Sequence, residues 1–538
     1  MYGMEFDPFR YGYPSRRKVM YAGKGMVATS QPLAAQAGLE MLKKGGSAVD
    51  AAIATAACLT VVEPTSNGIG GDAFALVWAD GKLYGLNASG PAPKSITAEA
   101  VIKAGHRKMP GFGWIPVTVP GAPYAWAELS RRFGKLPLTE VLSPAIGYAY
   151  EGYPVSPTVA AAWERAYNMY KGLLKGEEFR HWFEAFAPAG KSPAPGEMWR
   201  SPAHAETLDK IARTKGKDFY KGDLADRIDS FSRKYRGYLR KEDLEEYSPQ
   251  WVQPIKINYR GYDVWEIPPN GHGMVALMAL NILKGFEFTE RDTFYTFHRQ
   301  IEAVKLAFAD GLEYIADPKS MEVPVDWLLS DDYANQRRKL VGDTALLAKP
   351  GTPPKGGTVY LAAADGDGNM VSFIQSNFRG FGSGLVVPDT GISLHNRGIG
   401  FSLDKSHANC IAPGKKPYHT IIPGFLTKEG KPVGPFGVMG GFMQPQGHVQ
   451  VVMNSIDFKM NPQDALDAPR WQWVEGKRVF IERQFPGPAA ELLKKAGHII
   501  EPQDDCSSFG RGQIIWNTEN GIMAGATEPR ADGTVAVW

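Results

Sequence analysis

Residues 356–376 read Gly356-Gly357-Thr358-Val359-Tyr360-Leu361-Ala362-Ala363-Ala364-Asp365-Gly366-Asp367-Gly368-Asn369-Met370-Val371-Ser372-Phe373-Ile374-Gln375-Ser376. The run from Thr358 to Asp365 is short and apolar, and Gly-rich segments bound it, so it reads as a buried strand. Gly366-Asp367-Gly368 is a turn, and 369–376 is the return strand. A three-residue loop pairs Asp365 with Asn369 and sets Thr358 opposite Ser376. Opposed side chains are about 5 Å apart at Cβ, close enough for the two hydroxyls to touch. A two-residue loop of Asp367-Gly368 places Asn377 opposite Thr358 instead, and both registers remain open.

Upstream, Lys349-Pro350-Gly351-Thr352-Pro353-Pro354-Lys355-Gly356-Gly357 is the strongest loop signal in the chain. Thr358 therefore begins a strand where a loop ends. A threonine hydroxyl is a weak nucleophile until a base activates it. An α-amino group, with a pKa near 8, is such a base at neutral pH. Thr358 gains one only if the bond before it is cut, and Gly357 gives that bond little steric protection. Attack of the Thr358 hydroxyl on the Gly357 carbonyl, then hydrolysis of the ester, frees the amine. The plain alternative is a strand start after a flexible loop.

Further out, 1–24 is aromatic and basic and reads as a surface arm. Residues 25–29 read as a short buried strand. Helical spacing covers 31–44, with Gly45-Gly46 as the stop. A second helix, 50–61, is so rich in alanine that it must pack closely against neighbouring backbone. Residues 73–78 and 82–86 alternate around Asp80-Gly81, a hairpin signal. The middle, 95–350, reads as mostly helical, most clearly over 294–316. After 357 the chain is rich in strands and glycine turns.

The composition excludes several classes. At roughly 150 residues per domain, 538 residues suggest three or four domains. Lys plus Arg is 60 and Asp plus Glu is 57, a net charge of +3, which argues against a nucleic-acid partner. Three widely spaced cysteines (Cys58, Cys410 and Cys506) form no disulfide framework and suit a reducing compartment. The first 25 residues carry charges and no apolar run, so no signal peptide is read and a cytoplasmic location is expected. The most apolar stretch, 51–62, is too short for a bilayer, so no membrane partner is expected. Gly68-Ile69-Gly70-Gly71-Asp72-Ala73 fits G-x-G-x-x-A, but a helix precedes it and a strand follows, the reverse of a dinucleotide site. It reads as a turn where backbones approach closely. The histidines show no metal-ligand spacing, so no metal and no cofactor is expected.

In its ordered motifs the chain resembles the γ-glutamyltranspeptidase family of N-terminal-nucleophile hydrolases. The matches include Ala28-Thr29-Ser30-Gln31-Pro32, Gly45-Gly46-Ser47-Ala48-Val49-Asp50, Glu63-Pro64, Gly68-Ile69-Gly70-Gly71-Asp72 and Pro268-Pro269-Asn270-Gly271-His272-Gly273. Later matches are Thr358, Asp367-Gly368-Asn369, Phe381-Gly382-Ser383-Gly384, Gly440-Gly441, Asn454-Ser455-Ile456-Asp457 and Ala468-Pro469-Arg470. The resemblance implies an α+β fold, a four-layer αββα sandwich made from one precursor. It implies cleavage between Gly357 and Thr358 into a large fragment, 1–357, and a small fragment, 358–538, that stay together. It implies Thr358 as nucleophile, Ser376 as a supporting hydroxyl, and the backbone of Gly440-Gly441 as the oxyanion hole. The substrate would be a small-molecule amide, with water or an amine as acceptor.

The family's charged anchors for a γ-glutamyl group are missing. Where it carries an Arg after the early hairpin, this chain has Ala88-Ser89-Gly90-Pro91, so Ser89 falls at that part of the pocket. Gly400 stands before Phe401-Ser402 where the family has an Asp. His419-Thr420 replaces a Ser-Ser pair. Losing the two charged anchors removes several kcal/mol of charge-assisted bonding, so glutathione is expected to be a poor substrate. Arg397 is a new cation, read either as a surface or structural residue or as a bidentate clamp for a smaller carboxylate. His419 is likewise either a substrate contact or structural, and Gln444 and Gln446 are candidates to line the pocket. The pattern is similar to the branch containing oxamate amidohydrolase and related acylases. Two alternatives stand beside a small-amide hydrolase: a true γ-glutamyltransferase or glutathione hydrolase, and a catalytically silent binding or structural protein. Oligomeric state is open, a homo-oligomer included.

Overall fold

Val359, Leu361 and Ala363 join one apolar core in the computed structural model of the chain, while Tyr360, Ala362 and Ala364 join another. Both sets are buried, as an unbroken apolar strand requires when both of its faces are covered. The structure describes residues 17–348, 357–518 and 520–538, with Asp7 and Phe9. Of the loop expected at 349–357, residues 349–356 lie outside the described residues and Gly357 already begins a strand, and most of the arm expected at 1–24 lies outside them too.

The early strands are β1 (Met20–Ala22), β2 (Gly25–Thr29), β3 (Asp72–Ala79) and β4 (Lys82–Ala88). The middle of the chain adds β5 (Gln250–Val252), β6 (Ile255–Tyr259) and β7 (Tyr262–Glu266). The later strands are β8 (Gly357–Asp365), β9 (Met370–Phe378), β10 (Gly424–Lys428), β11 (Lys431–Met439), β12 (Arg511–Asn517), β13 (Met523–Thr527) and β14 (Thr534–Val537). One seven-stranded sheet has the order β14-β2-β8-β9-β3-β4-β5, and the other β1-β13-β12-β11-β10-β7-β6. Every pairing within them is antiparallel.

Met26, Phe74, Tyr360, Ile374, Phe425 and Ile515 fill the space between the sheets. On the outer face of the first sheet lie α1 (Pro32–Lys43), α2 (Ala48–Val62) and α3 (Ala122–Phe133). On the outer face of the second lie α4 (Gly273–Leu283) and α6 (Met443–Ile456), with α5 (Phe294–Tyr314) packed against both helices. The result is the expected αββα sandwich. Both sheets take strands from either side of the Gly357–Thr358 bond, so one sandwich stands in place of the three or four domains that length suggests. Among the described residues no helix is long and apolar enough to cross a membrane.

Local chemistry explains the main boundaries. Gln31 caps α1 through its side-chain oxygen, which accepts from the Leu33 and Ala34 N–H groups. The second helix starts two residues before the expected 50, because Ser47 and Asp50 form a capping box. Its small side chains do admit close packing: a Cβ on Gly38 of α1 would lie 2.3 Å from the Thr55 hydroxyl. Asp80 and Gly81, both at positive φ, turn β3 into β4. The strands β5, β6 and β7 interrupt the stretch expected to be mostly helical.

The β8–β9 hairpin follows the three-residue-loop register from Val359 opposite Gln375 to Ala364 opposite Met370. Asp365 N–H closes it on the Asn369 carbonyl at 3.1 Å. At the far end the register slips, and Gly357 pairs with Phe378. One residue of β8, Thr358, then faces two of β9, the signature of a β-bulge. Phe378 takes φ +73°, a strained conformation for a bulky side chain.

Candidate active site

Thr358 sits at this bulge, and its side chain is buried. Its Oγ1 lies 3.1 Å from Ser376 Oγ, the contact expected from the hairpin. Ser376 Oγ also accepts from Phe378 N–H at 2.7 Å, so the strained residue fixes the supporting hydroxyl. Gln444 reaches the site from α6. Its Nε2 is 3.5 Å from Thr358 Oγ1, while its Oε1 accepts from Ile422 N–H at 3.0 Å. Gln446 does not line the site. Its amide is spent on Phe442 and on both backbone groups of Trp473, which corrects the expectation made for it. Among the described residues, the side chains bonded to Thr358 Oγ1 are a hydroxyl and an amide, neither of them a base at neutral pH.

Gly440 and Gly441 follow β11 and precede α6, with φ of +143° and +61°. A Cβ on Gly440 would lie 3.1 Å from the Gly510 Cα. Arg470 holds Gly510 from below by donating to its carbonyl and that of Phe509, and its charge is met by buried Glu528 at 2.8 Å. The Gly pair therefore stands just before α6, whose first N–H groups bond back to it, Met443 N–H to the Gly440 carbonyl at 3.1 Å and Gln444 N–H to that of Gly441 at 3.2 Å.

The predicted pocket residues converge on an acid that sequence reasoning passed over. Asp72 begins β3 and pairs across to Ser376. Close backbone approach holds it there: a Cβ on Gly71 would lie 2.8 Å from the Ser376 carbonyl, and one on Gly70 2.4 Å from that of Ser393. His419 Nε2 lies 3.0 Å from Asp72 Oδ2. Ile421 N–H points at His419 Nδ1 at 3.4 Å, which leaves the ring proton on Nε2, facing the carboxylate. Arg397 Nε is 3.6 Å from Asp72, and His395 Nε2 is 3.8 Å away. Burial pushes the Asp72 carboxyl up to about 7, against the pull of Arg397. Burial also lowers Arg397 to about 10 and holds His419 well below its ordinary value, in the neutral form.

Arg397 is fully buried, so its reading as a surface residue is excluded. It donates to Thr420 Oγ1 at 2.7 Å and stacks 4.4 Å above the Phe378 ring. Ser89 donates its hydroxyl to Asn87 at 2.7 Å and lies 3.3 Å from the Asn270 amide. A Cβ on Gly400 would stand 2.5 Å from the Tyr418 carbonyl, so an acidic side chain has no room there.

Three residues of this region were given no role in the site: Asp72, His395 and Lys416. The available signal was charge accounting, since buried Arg397 and its neighbours need an anion. His298, Glu302 and His498 also meet, with their ligand atoms within 4.8 Å of one another. His298 and Glu302 are four apart on α5, a spacing the sequence reading overlooked. Glu302 is bonded there by the Lys305 ammonium at 2.7 Å.

The chain was compared with known proteins. The family model described as gamma-glutamyltranspeptidase matches residues 34–538. A relative in Bacillus subtilis, the glutathione hydrolase-like YwrD proenzyme, is 37% identical, over 96% of this chain and 99% of its own length. The oxamate amidohydrolase proenzyme of Klebsiella pneumoniae is 34% identical, over 95% of this chain and 98% of its own. Among solved structures, a cephalosporin acylase from Bacillus halodurans superposes with a TM-score of 0.97 at 62% identity, over 99% of both chains.

Proposed function

The chain belongs to the gamma-glutamyltranspeptidase family, and on that premise we propose that it is a self-processing amidohydrolase with Thr358 as its N-terminal nucleophile. One observation carries this reading: among the described residues, the side chains bonded to the buried Thr358 hydroxyl are a hydroxyl and an amide, and neither is basic. The base it needs is its own α-amine, released when the Gly357–Thr358 bond is cut. In that step Thr358 Oγ1 adds to the Gly357 carbonyl carbon, the C–N bond breaks as the Thr358 nitrogen takes up the proton and becomes the free α-amine, and water then divides the resulting ester into a Gly357 carboxylate and the Thr358 hydroxyl. Relatives named as proenzymes support a processed form.

In turnover the same hydroxyl attacks a substrate amide. The α-amine accepts the hydroxyl proton and passes it to the leaving amine, and water then hydrolyses the acyl ester. Backbone N–H groups of Gly440 and Gly441 serve the oxyanion, a role usually worth about 3–4 kcal/mol per donor. Ser376, fixed by Phe378 N–H, orients the nucleophile.

The substrate is a small amide, in keeping with relatives named oxamate amidohydrolase and cephalosporin acylase. Glutathione is disfavoured because Ser89 is spent on Asn87 and the Gly400 position cannot host an acid. Each missing charge-assisted bond is worth about 1.5–3 kcal/mol. In a panel of oxamate, simple acyl amides and glutathione, kcat/KM for glutathione is therefore expected to fall about a hundredfold or more below that of the best amide. Glutathione as the best substrate would overturn the specificity reading.

A further inference from the structure

Phe378 stands between the scissile bond and the supporting hydroxyl. Its backbone is paired with Gly357, the residue whose carbonyl Thr358 attacks. Its N–H donates to Ser376 Oγ at 2.7 Å, and that hydroxyl lies 3.1 Å from Thr358 Oγ1. Both placements rest on φ +73°, which a bulky side chain takes only where its surroundings impose it. A return to extended φ would turn the two peptide planes flanking Phe378 relative to one another, so both placements could not persist.

The chain at 396–397 imposes this conformation from three sides. Arg397 lies over the Phe378 ring, its guanidinium carbon 4.4 Å from the ring centre. Arg379, next in the chain, is farther from that ring, at 5.5 Å. Asn396 grips the backbone on either side of Phe378. Its N–H donates to the Asn377 carbonyl at 3.2 Å, and its Oδ1 accepts from Arg379 N–H at 3.2 Å.

The grip is itself fixed. Arg397 N–H donates to His395 Nδ1 at 3.1 Å, Arg397 Nη1 donates to Thr420 Oγ1 at 2.7 Å, and Asp72 Oδ2 stands 3.6 Å from its Nε. Asn396 Nδ2 donates to the Gly111 and Gly382 carbonyls. Arg397 and Phe378 are both buried. A cation over an aromatic face gains most when desolvated, and that gain is of the same order as the strain of a non-glycine residue in the left-handed region.

We infer that Arg397 is a positioning residue for self-cleavage. Through Phe378 it holds the Gly357 backbone and the Ser376 hydroxyl in place about the Thr358 nucleophile, and Asn396 assists it. This goes beyond the amide-hydrolase reading and rests on it for the cleavage itself. A carboxylate clamp, the other role expected of Arg397, would act on substrate binding instead.

Self-cleavage is followed on a denaturing gel from precursor made by cell-free synthesis. Arg397→Lys keeps the charge opposite Asp72 but loses the planar guanidinium, and should slow cleavage about tenfold or more. Phe378→Leu, which removes the ring, should slow it by about the same factor. Phe378→Gly takes the same φ without strain, so adding Arg397→Lys to it should slow cleavage less than about threefold further. Equal slowing by Arg397→Lys in both backgrounds overturns the inference. In processed protein, Arg397→Lys should lower kcat and leave KM for the best amide of the panel within about threefold. A raised KM at unchanged kcat would make Arg397 a substrate clamp and overturn the positioning role. Hydrogen exchange in the uncleaved Thr358→Ala chain reads the grip without cleavage. There Arg397→Lys should speed exchange over 376–379 about tenfold or more and leave β6 and β7 unchanged, which also reports that the variant has folded. Exchange indifferent to Arg397 overturns the inference. If the wild type never divides while exchange over 376–379 still depends on Arg397, the self-cleavage reading fails and the grip on Phe378 stands.

Discussion

Thr358→Ala is expected to remain a single chain of 58.9 kDa, while the wild type divides into pieces of about 39 and 20 kDa, in proportion to the lengths on either side of the bond. The same variant should lose amide turnover by at least about 10⁴-fold, because one hydroxyl serves both steps. Ser376 stands only 3.1 Å away, but it faces the nucleophile from β9 and gains no α-amine from the cleavage. Thr358→Ser should therefore retain both processing and turnover in part. A Thr358→Ala chain that still divides at this bond would remove the residue from the mechanism.

Asp72→Asn should destabilise the chain by about 3–5 kcal/mol, because it keeps the shape and the hydrogen-bond acceptor for His419 but strips Arg397 of its counter-charge. Arg397 is fully buried, and Asp72 is the anion facing it at 3.6 Å. The loss is read from the urea midpoint of the uncleaved Thr358→Ala chain, where a single polypeptide unfolds. The double variant Asp72→Asn with Arg397→Gln should recover part of the loss, since no uncompensated charge remains and the pair couples. A cost below about 1 kcal/mol for Asp72→Asn would mean that the two charges do not depend on one another.

Much of the first sheet was legible from local pattern. Loop length narrowed the β8–β9 register to two alternatives, of which the structure takes the three-residue loop, and Asp80-Gly81 marked the β3–β4 hairpin. The bulge at Thr358 was not legible. It depends on Phe378 holding a strained φ and on Arg397 lying over its ring, a contact made only when the chain after the hairpin folds back on it. The strands β6 and β7 escaped notice although Arg260-Gly261 turns one into the other with both φ positive. Ile255-Lys256-Ile257-Asn258-Tyr259 alternates apolar and polar residues, so the signal of a half-buried strand was present there.

The candidate site was legible chiefly through the family motifs. Those motifs marked Thr358, Ser376 and the Gly pair, and the departures from them marked Ser89, Arg397 and His419. The acid that organises the last two was hidden in a glycine-rich turn, because Asp72 reaches His419 and Arg397 only after more than 300 residues of chain have folded back. Near-neutral net charge gave no hint of this cluster, since ionic pairs that cancel leave the total unchanged.

N-terminal sequencing of the smaller fragment from freshly purified protein tests the central claim most directly. Cleavage by Thr358 predicts one N-terminus, Thr-Val-Tyr-Leu-Ala, with its α-amine free. A chain that stays whole under conditions where it hydrolyses amides, or a fragment that begins at any other residue, would contradict it.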